Sequence, residues 1–112
     1  MNRANSSNIR IRPQERLLEN LAVTGTFNLD YNLYETFNLV LTGVTTFTES
    51  NLPTSGEDTK ILVINISGNF ALTYPAGWST NVTGSYIGTV NNIIVVQYFK
   101  TGTYKIQITQ PD

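Results

Sequence analysis

Which groups could do chemistry is settled early by two absences, since the 112-residue sequence holds no histidine and no cysteine. Histidine is the side chain that titrates near neutrality. Losing both types removes the commonest general base, the thiolate nucleophile and the usual zinc ligands. A serine nucleophile would have to borrow Lys60, Lys100 or Lys105 as its base, and none of the seven serines stands in a G-x-S-x-G elbow. Glu57 and Asp58 are the kind of paired carboxylates that acid–base cleavage of a glycoside would use. They are adjacent in a turn after Gly56, where simple solvation accounts for them. The expectation is a protein that is not an enzyme and needs no cofactor.

Three other groupings offer binding chemistry. Asp30, Asn32 and Glu35 present oxygen donors at a calcium-like spacing, but lack the glycine and later glutamate of a hand-type loop. The polar face of an alternating strand explains them, so no metal site is expected. Tyr74, Trp78 and Tyr86 flank "PAGWSTNVTGSYIG", whose glycines and small polar residues can present rings to a sugar face, making these three the candidate glycan-binding residues. Packing of the sole tryptophan over the open end of a β-sandwich is the favoured alternative for Trp78. Finally, Arg3, Arg10, Arg12 and Arg16 fall in the first 20 residues with only Glu15 and Glu19, giving +2 there and −3 over the remainder. Four charges without an aromatic platform would hold nucleic acid weakly. Docking onto an acidic groove of a protein partner suits them at least as well. The sequons at Asn5, Asn65 and Asn81 arise readily in a chain this rich in Asn, Ser and Thr.

The elements that must position these groups are legible from composition and period. Thr, Asn and Ser supply 36 of the 112 residues and charged residues only 13%, which suits pleated strands and turns better than helices. One domain is expected from the length. Residues 1–23 read as an extended basic arm with a possible short helix over 13–20, where Leu17, Leu18 and Leu21 share a face and Pro13 suits a first helical position. From Thr24 the period becomes two. Phe27, Leu29, Tyr31 and Leu33 face inward, then Phe37, Leu39 and Leu41 in a second strand ending at Gly43, then a third strand from Val44 to Glu49. "KILVINIS" and "NNIIVVQYF" are apolar at consecutive positions, which asks for cover on both faces. Alternation returns with Phe70, Leu72 and Tyr74, and with Tyr104, Ile106 and Ile108. Residues 24–112 are therefore expected to form an all-β domain, a small antiparallel β-sandwich or jelly-roll of seven or eight strands, without an internal repeat. No apolar run approaches the ~18 residues of a membrane span, and the start has no apolar signal region.

The stretch "LTGVTTFTESNLPTSGEDTKILVINISGNFALTYPAGW", followed by the "NNIIVVQYF" strand, resembles a segment recurring in tailed-bacteriophage structural proteins, especially tail-fibre and other particle-surface domains. The likeness runs through Leu-Thr-Gly at 41–43, Thr-Thr-Phe at 45–47, Asn-Leu-Pro at 51–53, the apolar strand at 61–66, Thr-Tyr-Pro at 73–75, Trp78 and the strand at 93–99. It departs from the pattern in "AGWSTNVTGSY", where the usual segment is richer in glycine. What the resemblance implies is a non-enzymatic virion component, made in the bacterial host cytoplasm and carried on the particle surface as a homotrimer. As a capsid-decoration or head-fibre protein it would be held to major capsid protein by its arm, through Ile9, Arg10, Ile11, Arg12, Arg16, Leu17, Leu18 and Leu21. A tail-fibre adhesin that binds host-surface glycans is the first alternative, and a cellular carbohydrate-binding module the second.

Overall fold

The computed structural model describes residues 17–53, 59–99 and 102–111, with 17–20 described by their backbone. Among the described residues seven strands make one mixed sheet. In chain order they are β1 (Leu17–Asp30), β2 (Thr36–Ser50), β3 (Lys60–Ser67), β4 (Leu72–Thr73), β5 (Val82–Thr83), β6 (Asn92–Phe99) and β7 (Thr103–Thr109), with a 3-10 turn at Ala76–Asn81. The sheet runs β1-β2-β3-β6-β7-β5, and β4 lies beside β2. All-β is therefore right, but uniformly antiparallel pairing is not. β1 with β2, β2 with β3 and β4, and β5 with β7 are parallel, while among the described residues only β3–β6 and β6–β7 are antiparallel.

Chain length dictates what such pairing means. β1 and β2 are parallel along their lengths although only residues 31–35 join them. Fourteen residues of straight strand would span roughly 45 Å, and a five-residue link reaches at most roughly 20 Å. β1 must therefore curl until its end returns near its start, and β2 lies on it as the next turn of a coil. Leu17 stands beside Thr36 and Asp30 beside Ser50, with the register slipping between Leu18 and Leu21 and between Val23 and Gly25. Those slips are the irregularities at which a strand bends. The third turn is made of two short strands, since β2 pairs with β3 over 36–40 and with β4 at Thr45 and Thr46. Between β3 and β4 the chain bends at Gly68, whose φ of 119° suits glycine and whose missing Cβ leaves room for the Leu41 backbone.

The bend also explains the threonine of residues 42–48. Gly43 stands at the corner, where an added Cβ would strike Thr24 Oγ1. Next to it Thr42 Oγ1 donates to Val23 O, Thr45 N donates to Ala71 O, and Thr45 Oγ1 donates to Gly43 O. Thr45 is wholly buried. A short branched side chain with one hydroxyl satisfies backbone groups that a bent strand leaves without ladder partners. Outside the coil, Asn38 and Asn65 stand in register and bond at 2.8 Å, and Asn28 bonds Thr48 and Ser50 at 2.8 and 2.7 Å.

The core lies inside the coil. One inward row crosses four strands as Phe37, Ile64, Ile94 and Ile108, each in register with the next and all buried. Expectation and structure part at several positions. The second and third expected strands are one, because Gly43 is a corner and not an end. Leu17 to Asn20 are strand where a helix was expected, and residues 13–16 lie outside the described set. Leu33 and Phe70, expected inward, are 54% and 44% exposed. β3 is sealed on one face by Leu62, Ile64 and Ile66, but Ile61 on the other face is exposed.

Candidate functional site

Glu49, near the end of β2, gathers three donors from distant parts of the chain. Its Oε2 accepts from the Tyr31 hydroxyl at 2.6 Å and from Trp78 Nε1 at 2.9 Å, and its Oε1 accepts from the Tyr104 hydroxyl at 2.7 Å. Tyr31 and Trp78 are fully buried and Tyr104 nearly so. Burial, then the Glu49 carboxylate, pushes both phenols above the ordinary tyrosine range, so each remains a neutral donor. Short charge-assisted bonds of this kind are strong. They tie the β1–β2 link, the end of β2, the 3-10 turn and β7 at one point. One further ring extends the knot, since Tyr98 packs edge-on against Tyr31 and Tyr104 at 6.3 and 5.1 Å. Both carboxylate oxygens, two phenol hydroxyls and the indole N–H are bonded to one another, so the arrangement ties remote parts of the chain together.

Trp78 therefore takes its alternative role. Its ring lies between Tyr74, stacked at 5.6 Å and 21°, and Phe47 at 6.3 Å. Its amide donates to Pro75 O, which closes the turn that seats it. As a sugar platform it is corrected by its burial, because a ring at 0% exposure presents no face.

Tyr74 and Tyr86 remain as surface. With Asn69, Phe70, Leu72 and Ser85 they line an open groove of about 590 Å³. Their hydroxyls are committed, with Tyr86 donating to Gly68 O at 2.6 Å and Tyr74 bonded to the Tyr86 backbone. Desolvation raises both phenols above their usual range. The loop bearing Tyr86 is held by Asn92, a buried amide that accepts from Ile87 N and from Gln110 and donates to the carbonyls of Ile66, Ile87 and Val90. The result is a fixed pair of aromatic rings and an exposed Phe70, with an amide and a hydroxyl at hand. Flat apolar rings rimmed by hydrogen-bonding groups suit a polyhydroxylated ligand.

Sequence reasoning named Tyr74 and Tyr86 but missed Phe70, Glu49 and Asn92. Nothing in "SGNFALTY" distinguishes Phe70 from an inward strand residue, and Asn92 is hidden beside Asn91. Of the donor set Asp30, Asn32 and Glu35, Asp30 Oδ1 accepts from the Asn32 amide and Asn51 Nδ2, while Glu35 lies 3.7 Å from Lys60. Among the described residues no group of three or more acidic, histidine or cysteine side chains is placed to hold a metal. Ile9, Arg10, Ile11, Arg12 and Arg16 lie outside the described residues, as do Glu57 and Asp58. Leu17 and Leu18 are in β1 beside Thr36 and Phe37, and Leu21 is paired with Leu39. No protein-family model matches the chain, and neither the curated proteins nor the solved structures give a match.

Proposed function

We propose that the chain is a non-enzymatic structural protein of a bacteriophage particle surface, of capsid-decoration or head-fibre type, that assembles as a homotrimer and is held to major capsid protein through its basic N-terminal segment. The observation that carries this reading is the use made of the polar groups. Glu49 anchors three donors, and Asn and Thr side chains stitch successive turns of the coil together. A body of this kind is durable with little surface charge, which suits a particle exterior, and the bacteriophage resemblance points the same way. Leu17, Leu18 and Leu21, the last residues of the proposed anchor, belong to β1. Deleting residues 1–12 should leave a folded body that no longer sediments with particles lacking the protein. Undiminished attachment would overturn the assignment.

A second reading, a tail-fibre adhesin binding host-surface glycans, is favoured by the Tyr74–Tyr86 groove. Its test moves from Trp78 to an exposed residue. Phe70→Ala should abolish glycan or host-cell binding with stability changed by less than ~0.5 kcal/mol, as for ordinary surface substitutions. Unchanged binding would remove the groove from consideration.

A further inference from the structure

Two segments of the chain make the aromatic groove, one bringing Asn69, Phe70 and Tyr74 and the other Ser85 and Tyr86. They are pinned by bonds that leave the ring faces unused. Phe70 N and the Tyr86 hydroxyl both donate to Gly68 O, at 2.9 and 2.6 Å, so the two segments share one carbonyl. Gly88 is seated so closely that a Cβ there would fall 2.7 Å from Asn69 Cα. Tyr74 rests on Trp78, and Phe70 is 44% exposed. Rings already in place lose little affinity to being ordered by a ligand.

We infer that the groove takes a short run of uncharged pyranose units and discriminates against acidic sugars, with C–H faces laid on the rings and hydroxyls turned to Asn69 and Ser85. Three observations carry the preference. An aromatic face holds the negative part of the ring quadrupole, so it attracts the weakly positive C–H bonds of a sugar and repels a carboxylate or sulfate. Among the described residues that line the groove none is charged, and an acidic group desolvated there would lack a cation to pair with. The residues after position 20 carry a net charge of −3, which opposes the approach of an anion from a distance. A volume of about 590 Å³ is within the range of sites for small ligands. The inference rests on the adhesin reading of this groove and narrows it, since that reading admits acidic host glycans equally.

A glycan array that carries neutral oligosaccharides beside their sialylated, uronic-acid and sulfated counterparts, probed with the full-length protein, reads the preference directly. Neutral members should be held about tenfold or more tighter than their acidic counterparts. Their binding should change less than about twofold between about 50 and 500 mM salt, a range over which exposed charge pairs are screened. Phe70→Ala should lose it. Ser85→Lys adds a cation at an exposed residue whose backbone carbonyl, not its side chain, holds Gln110, and should narrow the preference about tenfold. Acidic members bound as tightly as neutral ones or tighter, and lost in Phe70→Ala, would overturn the inference and leave the adhesin reading standing. Binding to no member of the array, or binding that Phe70→Ala leaves unchanged, would overturn both.

Discussion

In β1 and β2 the strands run parallel and their sequences alternate, with Phe37, Leu39, Leu41 and Phe47 buried and Val40, Thr42, Thr46 and Thr48 exposed. In β3 and β6 the strands run antiparallel and their sequences are apolar runs. This inverts the usual association, in which parallel strands are covered on both faces and antiparallel ones on a single face. Coiling explains the inversion. A strand that winds around a core keeps one face inside and one in solvent whichever way its neighbour points, so alternation counts covered faces and says nothing of direction. β3 and β6 sit in the middle of the same sheet, where half-buried Val63, Ile93 and Val95 shelter one another on the outer face and Ile61 is left exposed.

The sharpest way to break this picture is at the point where the coil and the antiparallel strands are tied together. Trp78→Ala removes the ring between Tyr74 and Phe47 and one donor to Glu49, and should cost roughly 3–5 kcal/mol in denaturant unfolding. A loss below about 1 kcal/mol, the size expected of a peripheral site, would show that the two regions do not depend on this residue.

A smaller effect separates the two corners of the coil. Gly68→Ala adds a Cβ 2.5 Å from the Leu41 carbonyl at a φ of 119°, which costs about 1–3 kcal/mol in backbone strain alone. Gly43→Ala meets only the Thr24 side chain, which is exposed and able to rotate. Its cost should be about 1 kcal/mol or less. Equal losses at both sites, measured by thermal unfolding, would mean that the corner at Gly43 is held as rigidly as the bend at Gly68.

Period and composition revealed the strands and most of the inward residues, because burial of alternate side chains is a local property of strand sequence. Tyr104, Ile106 and Ile108 are buried as their spacing requires. What stayed hidden depends on contacts between remote residues. Tyr31 and Glu49 are 18 apart and Glu49 and Tyr104 are 55 apart, so no window shows the carboxylate collecting its donors. Gly43 resembles a strand terminus because a corner and an end call for the same residue. The turns of the coil have unequal lengths, 19 residues from Leu17 to Thr36 and 27 from Thr36 to Val63, and a period that varies this much leaves no visible repeat. Two of the three rings that line the groove, Tyr74 and Tyr86, were named from the glycine-rich loop, and Phe70 was not. Burial of Trp78 was the favoured of its two readings, because a tryptophan beside a Pro-Ala-Gly turn commonly packs over a core.

The knot also makes a pH prediction, with its own control. Tyr31 and Tyr104 hold their protons above the ordinary value of 10.0 in the folded protein, first because they are buried and then because Glu49 accepts from them. The unfolded chain releases those protons from about pH 10 upward, so over that range it binds fewer than the native state. Stability contributed by the pair is therefore complete below pH 10 and falls as pH rises beyond it. Replacing the carboxylate in Glu49→Gln leaves a buried donor without a suitable acceptor, and should cost about 1–3 kcal/mol at neutral pH. It should also flatten the alkaline loss, though not erase it, because burial still disfavours both phenolates. Unfolding free energies measured from pH 8 to 11 for both proteins test this directly. Parallel curves would assign the whole alkaline effect to burial, leaving Glu49 a geometric tie between the coil and β7 with no hold on the tyrosine protons.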